Sequence, residues 1–138
     1  MKKLSFRNFS LLFLLFLSSC GSSDNQFELV GSADVSDGTI IYVLQADQNN
    51  QPYIKDSTSV ESNSFKFKGV SSTPQISYIQ VEGVNGYVLA ILENGDIKAD
   101  IFKDSISKSR VYGTKSNDDF IKYKSETKSL VDVMNNIS

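Results

Sequence analysis

Phe65-Lys66-Phe67-Lys68-Gly69-Val70 is the stretch on which the fold turns. Its aromatic and charged residues alternate with a period of two, so the rings go to one face and the lysines to the other. That is the pattern of a half-buried strand. Moving outward toward the N-terminus, Phe27, Leu29, Gly31, Ala33 and Val35 share one face, with Glu28, Ser32 and Asp34 opposite. Ile40-Ile41-Tyr42-Val43-Leu44 is apolar on both faces and reads as a central, doubly covered strand. A weaker strand spans Tyr53 to Val60, after a polar loop from Asp47 to Pro52 whose proline cannot continue a sheet ladder. Toward the C-terminus come Ile76 to Val81, Tyr87 to Leu92, Ile97 to Phe102 and a short strand around Arg110 to Tyr112. In the segment Tyr87 to Leu92, Val88, Leu89, Ile91 and Leu92 are expected to be buried on both sides.

The punctuation between these segments is Asp37-Gly38, Glu61-Ser62-Asn63-Ser64, Asn85-Gly86 and Asn94-Gly95. Asp-Gly and Asn-Gly accept the positive φ that two-residue turns require, which predicts a succession of hairpins. The expected fold is mainly β, an antiparallel β-sandwich of about eight short strands followed by a C-terminal amphipathic α-helix. The helix is signalled by Ser116-Asn117-Asp118-Asp119, an N-cap followed by acidic residues. Phe120, Tyr123, Thr127, Leu130, Met134 and Ile137 then fall at alternating steps of three and four, which makes one stripe apolar. The front of the stripe, with Phe120 and Tyr123, should dock on the sheet. Val131, Val133 and Ile137 spread apolar surface over a wider arc, and no Gly or Pro stop follows, so the helix reads as interrupted.

The 138 residues bound the chain to one domain, and 14 basic against 16 acidic groups, a net charge of -2, give no field that selects a nucleic acid. There is no His and only one Cys, which removes Ser/His/Asp and Cys/His nucleophile systems, CxxC redox pairs and any internal disulfide. That single cysteine has a telling address. Met1-Lys2-Lys3-Leu4-Ser5-Phe6-Arg7 is basic, Leu11 to Leu17 is apolar, and the run is too short to cross a bilayer. Leu17-Ser18-Ser19-Cys20-Gly21 follows and resembles the bacterial lipobox, in which the Cys is acylated and becomes the first residue. Lipid on Cys20, carried as a thioether plus an N-acyl chain, would anchor the chain stably. Cleavage there removes three basic and no acidic groups, leaving a mildly acidic domain on the small, polar tether Gly21 to Gln26.

Carboxylates are the plentiful acid–base groups, and the pairs to weigh are Asp34 with Asp37, Glu93 with Asp96, and Asp118 with Asp119. Each pair sits in or beside a turn or cap, where Asp commonly bonds local backbone N–H groups. Asp34 to Gly38 faintly resembles a calcium loop but lacks its alternating oxygens and distal Glu. The glycines form no phosphate cradle, and the helix lysines Lys115, Lys122, Lys124 and Lys128 are balanced by acids. Tyr42, Tyr53, Tyr78, Tyr87, Tyr112 and Tyr123 would suit a carbohydrate platform, though tyrosine is also a common strand former. No catalytic, cofactor or metal residue is assigned.

Taken in order, Phe27-Glu28-Leu29-Val30-Gly31, Asp37-Gly38-Thr39 with Ile41-Tyr42-Val43-Leu44, Asp56-Ser57-Thr58-Ser59-Val60, the Phe65 to Val70 alternation with Pro74, Leu92-Glu93-Asn94-Gly95, and Val111-Tyr112-Gly113-Thr114 with Asn117-Asp118 resemble the domain of unknown function family 4369. The resemblance runs over about residues 27 to 123. It implies an N-terminal lipoprotein domain, commonly followed by a helical linker and a thioredoxin-like domain related to thiol-disulfide oxidoreductases and peroxiredoxins. This sequence departs from that arrangement in having no CxxC and in stopping within the presumed linker helix, so no redox activity is carried over.

The expected division is a signal peptide at 1–19, lipidated Cys20 and tether at 20–26, the β-sandwich at 27–114, and the helix at 115–138. The expected function is that of a non-enzymatic, lipid-anchored cell-envelope accessory or binding domain. The alternatives are a small carboxylate-dependent hydrolase and a carbohydrate-binding module. Expected contacts are the membrane, through Cys20, and a protein partner or thioredoxin-like domain at Phe120, Leu130 and Met134. The expected location is the cell membrane or outer membrane, facing the periplasm.

Overall fold

A computed structural model describes residues 25–137. The Phe65 alternation is built as expected: β4 (Ser64–Val70) buries Phe65 and Phe67 and exposes Lys66 and Lys68. Its partner is β1 (Gln26–Ala33), antiparallel, with Gly31 opposite Phe65 and Phe27 opposite Gly69. Each ring lies over the glycine across from it. A Cβ on Gly31 would run into the Phe65 ring, and one on Gly69 would stand 2.7 Å from the Phe27 ring. Two aromatic rings thus fill the space that two missing side chains leave.

The remaining strands are β2 (Ile40–Ala46), β3 (Pro52–Ser59), β5 (Gln75–Val81), β6 (Val88–Leu92), β7 (Gly95–Ile101) and β8 (Arg110–Tyr112). They form two four-stranded sheets, β4-β1-β7-β8 and β3-β2-β5-β6. Leu29, Phe65, Phe67, Ile97 and Ala99 of one sheet belong to one core with Ile41, Val43, Ile79, Val81 and Leu92 of the other. The fold is thus the mainly β sandwich followed by a helix. All named strand pairs are antiparallel except β1–β7, which is parallel.

Pairing departs from the hairpin series at three turns, one of them Glu61 to Ser64, which leads from β3 in one sheet to β4 in the other. Asp37-Gly38 and Asn94-Gly95 do supply positive φ, +87° at Gly38 and +118° at Gly95, yet each hands the chain from one sheet to the other. Turn residues set a local reversal, while the sheet a strand joins is set by which neighbours can cover its apolar face. Asn85-Gly86 does join a true hairpin, β5–β6, through a longer turn that includes Gly83. Ser62 and Asn63, both left-handed, close a two-residue turn in which Glu61 and Ser64 exchange backbone bonds of 2.9 and 3.0 Å.

β2 is an interior strand, but of the apolar run Ile40 to Leu44 only Ile41 and Val43 are buried, with Tyr42 and Leu44 half-buried on the other face. The expectation for Tyr87 to Leu92 needs correction. β6 is the outer strand of its sheet, so Val88, Ala90 and Leu92 enter the core while Leu89 and Ile91 are half-buried on the outer face. A short 3-10 turn, Ile106–Lys108, precedes β8 and carried no clear signal in the sequence.

Helix α1 (Lys115–Asn136) begins two residues before the expected cap, at Thr114. Only Phe120 and Ile121 of its apolar positions are half-buried, and every residue from Lys122 to Ile137 is exposed. Tyr123, expected to dock, is 63% exposed. The cause is the step of the helix away from the sandwich directly after its second turn, so the stripe leaves the surface it would have packed on.

Candidate functional site

Four of the six carboxylates weighed in the sequence make bonds within the fold. Asp37 accepts from the Ser62 N–H at 2.9 Å, Asp118 from the Gly113 N–H at 2.9 Å, and Asp119 pairs with Lys115. Asp34 and Asp96 are exposed. Glu93 reaches the first turn of α1, where its two oxygens accept from the N–H and the hydroxyl of Ser116, each at 2.7 Å. Partial burial pushes its carboxyl up, but hydrogen bonds from the Ser116 and Thr114 hydroxyls and from the Ser116 and Asn117 backbone outweigh this, and its pKa lies below the usual value. A carboxylate weighed as a catalytic acid is thus an N-terminal helix cap supplied from another element.

Asn117 works beside it. The residue is 1% exposed, and its Oδ1 accepts from the Ile91 N–H at 2.9 Å while its Nδ2 donates to the Ile91 carbonyl and the Thr114 hydroxyl, each at 2.8 Å. One side-chain amide therefore pairs with both backbone groups of a residue on the outer strand β6, as a neighbouring strand would. Asn117 and Glu93 together fix α1 against the rim of the sandwich.

That fixation creates a groove. Where β6 and β8 come together under the first turns of α1, a cavity of about 450 Å³ opens. Tyr78 and Tyr87 meet there edge to face at 5.3 Å between ring centres, and Leu89, Ile106 and Phe120 are among its other apolar lining residues. Lys108, Arg110 and Lys124 stand around it, and among the described residues that line it there is no Asp or Glu. Arg110 donates through Nε to Asp100 at 2.8 Å and lies 5.1 Å over the Tyr112 ring, so its charge is already answered. The Lys124 ammonium lies 5.8 Å from the centre of the Phe120 ring.

The expected site residues divide sharply. Of the six tyrosines, the structure brings Tyr78 and Tyr87 together, while Tyr53 donates to Gln45 at 3.1 Å and Tyr123 stands on the free helix. Sequence reading missed the groove because its lining comes from five separate elements, β5, β6, the 3-10 turn, β8 and α1. The signal that was present is the Asn85-Gly86 hairpin, whose alternation places Tyr78 beside Leu89 in register. Among the described residues no group of three or more His, Cys, Asp or Glu could hold a metal ion. Cys20, the expected lipidation site, and the signal peptide lie outside the described residues, among which no helix is long and apolar enough to cross a membrane.

A family model described as "Domain of unknown function (DUF4369)" matches residues 27–120. The match takes in both sheets, Glu93 and Asn117, and ends at Phe120, where α1 leaves the sandwich. Comparison with curated proteins and with solved structures gives no match.

Proposed function

The chain belongs to the DUF4369 family, and on that premise we propose that it is a non-enzymatic, lipid-anchored accessory domain of the cell envelope that acts by binding. The observation that carries the anchoring is the placement of the chain's one cysteine at Leu17-Ser18-Ser19-Cys20-Gly21, behind a basic and then an apolar run. The sandwich begins at Gln26, a few residues beyond Cys20, which would hold it close to a bilayer surface, in the cell membrane or outer membrane and facing the periplasm. The non-catalytic reading is supported by the carboxylates: Asp37, Glu93 and Asp118 accept bonds from backbone N–H groups that need them. With no CxxC in the sequence, thiol-disulfide exchange is not part of the proposal. The partner that family resemblance suggests is a thioredoxin-like domain. The exposed Leu130 and Met134 of α1 offer it apolar surface, whereas Phe120 is already half-covered by the sandwich.

Metabolic labelling with an alkyne fatty acid tests the anchor. The wild-type chain should be labelled and recovered with membranes, and Cys20→Ala should be unlabelled and released. Continued labelling of Cys20→Ala would overturn the lipoprotein reading.

A further inference from the structure

The groove at the root of α1 joins an aromatic floor to a cationic rim inside a mildly acidic domain. Its floor presents Tyr78, Tyr87 and Leu89, and Phe120 forms the wall nearest the helix. The two charges that matter are those not answered by a carboxylate. Lys108 has no acidic partner among the described residues, and Lys124 is held over a ring face, which offers attraction without neutralising the ammonium. We propose that this groove is a binding site for a small aromatic carboxylate.

The chemistry follows from the lining. A carboxylate in the groove meets the positive charge of Lys108 and Lys124, while a cation is repelled and a neutral sugar leaves both ammoniums unanswered. The body of the ligand displaces water from apolar surface, and a flat ring adds edge-to-face contacts with Tyr78 and Tyr87 that an aliphatic chain cannot make. A volume of about 450 Å³ lies within the range of small-molecule sites and accommodates a bicyclic ring. The site rests on the reading of the domain as a binding module, and the lipid on Cys20 has no part in it.

Equilibrium dialysis of 2-naphthoate against the full chain in a mild non-ionic detergent, with detergent alone as the blank, tests this directly whether or not Cys20 carries lipid. Saturable one-to-one binding is expected, and 2-naphthylmethylammonium, with the same rings and the opposite charge, should bind about tenfold more weakly or worse. The double variant Lys108→Gln/Lys124→Gln should lose about three- to tenfold in affinity, and Tyr87→Ala about threefold or more. Leu130→Ala, far along the exposed helix, should change nothing. These side chains are exposed, so the variants should keep the wild-type unfolding midpoint, which is measured alongside. Absence of saturable binding, equal binding of the ammonium, an unchanged double variant, or a loss in Leu130→Ala equal to that of the lysine pair would each overturn the proposal. Fatty-acid labelling is scored on separate samples, so failure of either reading leaves the other standing.

Discussion

Replacing Asn117 by Ala should destabilise the domain by about 2 kcal/mol. The side chain makes three hydrogen bonds of 2.8 to 2.9 Å, two of them to the backbone of Ile91 on an outer strand. At about 1 kcal/mol net per bond, their loss costs about 3 kcal/mol. Alanine's better helix propensity returns roughly 0.5 kcal/mol. Water can reach the half-buried Ile91 in part, which lowers the figure further. Asn117→Asp separates this account from a simpler one. An acid in the first turn normally favours a helix by about 0.3 to 1 kcal/mol. Here it would turn a carboxylate oxygen toward the Ile91 carbonyl and should be at least as damaging as Ala. Urea unfolding at 25 °C, followed by far-UV circular dichroism, measures both. A loss below about 0.5 kcal/mol in Asn117→Ala, or a neutral or stabilising Asn117→Asp, would refute the strand-mimic reasoning.

Leu29→Ala, at a fully buried site, should cost about 2 to 5 kcal/mol in the same assay, and Leu89→Ala, on the half-buried outer face, clearly less. Equal losses would contradict the assignment of the two faces. Gly31→Ala should cost about 1 to 3 kcal/mol because its methyl meets the Phe65 ring. Phe65→Leu should make that change smaller in a double-mutant cycle, and strict additivity would count against the contact. Hydrogen bonds from Lys66 and then Lys68 lower the Glu28 carboxyl to about 2 from an ordinary 4.5. Its stabilising effect is therefore complete above the unfolded value and is lost as pH falls from about 4.5 toward 2. Glu28→Gln should flatten that part of the stability–pH curve, most visibly at low salt, and an unchanged slope would show that the pair is fully screened.

The strands were legible because alternation is local. Phe65 to Val70 states its own two faces, and the cap-and-stripe pattern announces α1 within a couple of residues. Sheet membership was not legible, since Asp37-Gly38 dictates a backbone angle and is silent about whether Ile40 will pair with β1 or with β3 and β5. The same limit hid the helix cap. Thr114 begins α1 where Ser116 was the better local candidate, because Glu93, far back in the chain, is the acceptor that satisfies Ser116. Asn117 read as a helix-start residue, and nothing near it in sequence names Ile91. The groove lies at the far end of this scale, needing two sheets, a 3-10 turn and a helix to be in place before its lining exists.

The place of β1 in its sheet has a mechanical meaning. It is the first strand from the N-terminal side, yet it lies in the interior of its sheet, paired with β4 on one flank and β7 on the other over seven residues each. A pull arriving from the N-terminal side runs along the axis of that strand. Every rung on both flanks then bears load together, in shear, whereas a terminal hairpin pulled from its end would unzip one rung at a time. A domain hung by this end hangs from a strand clamped on both sides. Its lifetime under tension is set by the rate at which two full ladders slip at once, not by the depth of its equilibrium stability.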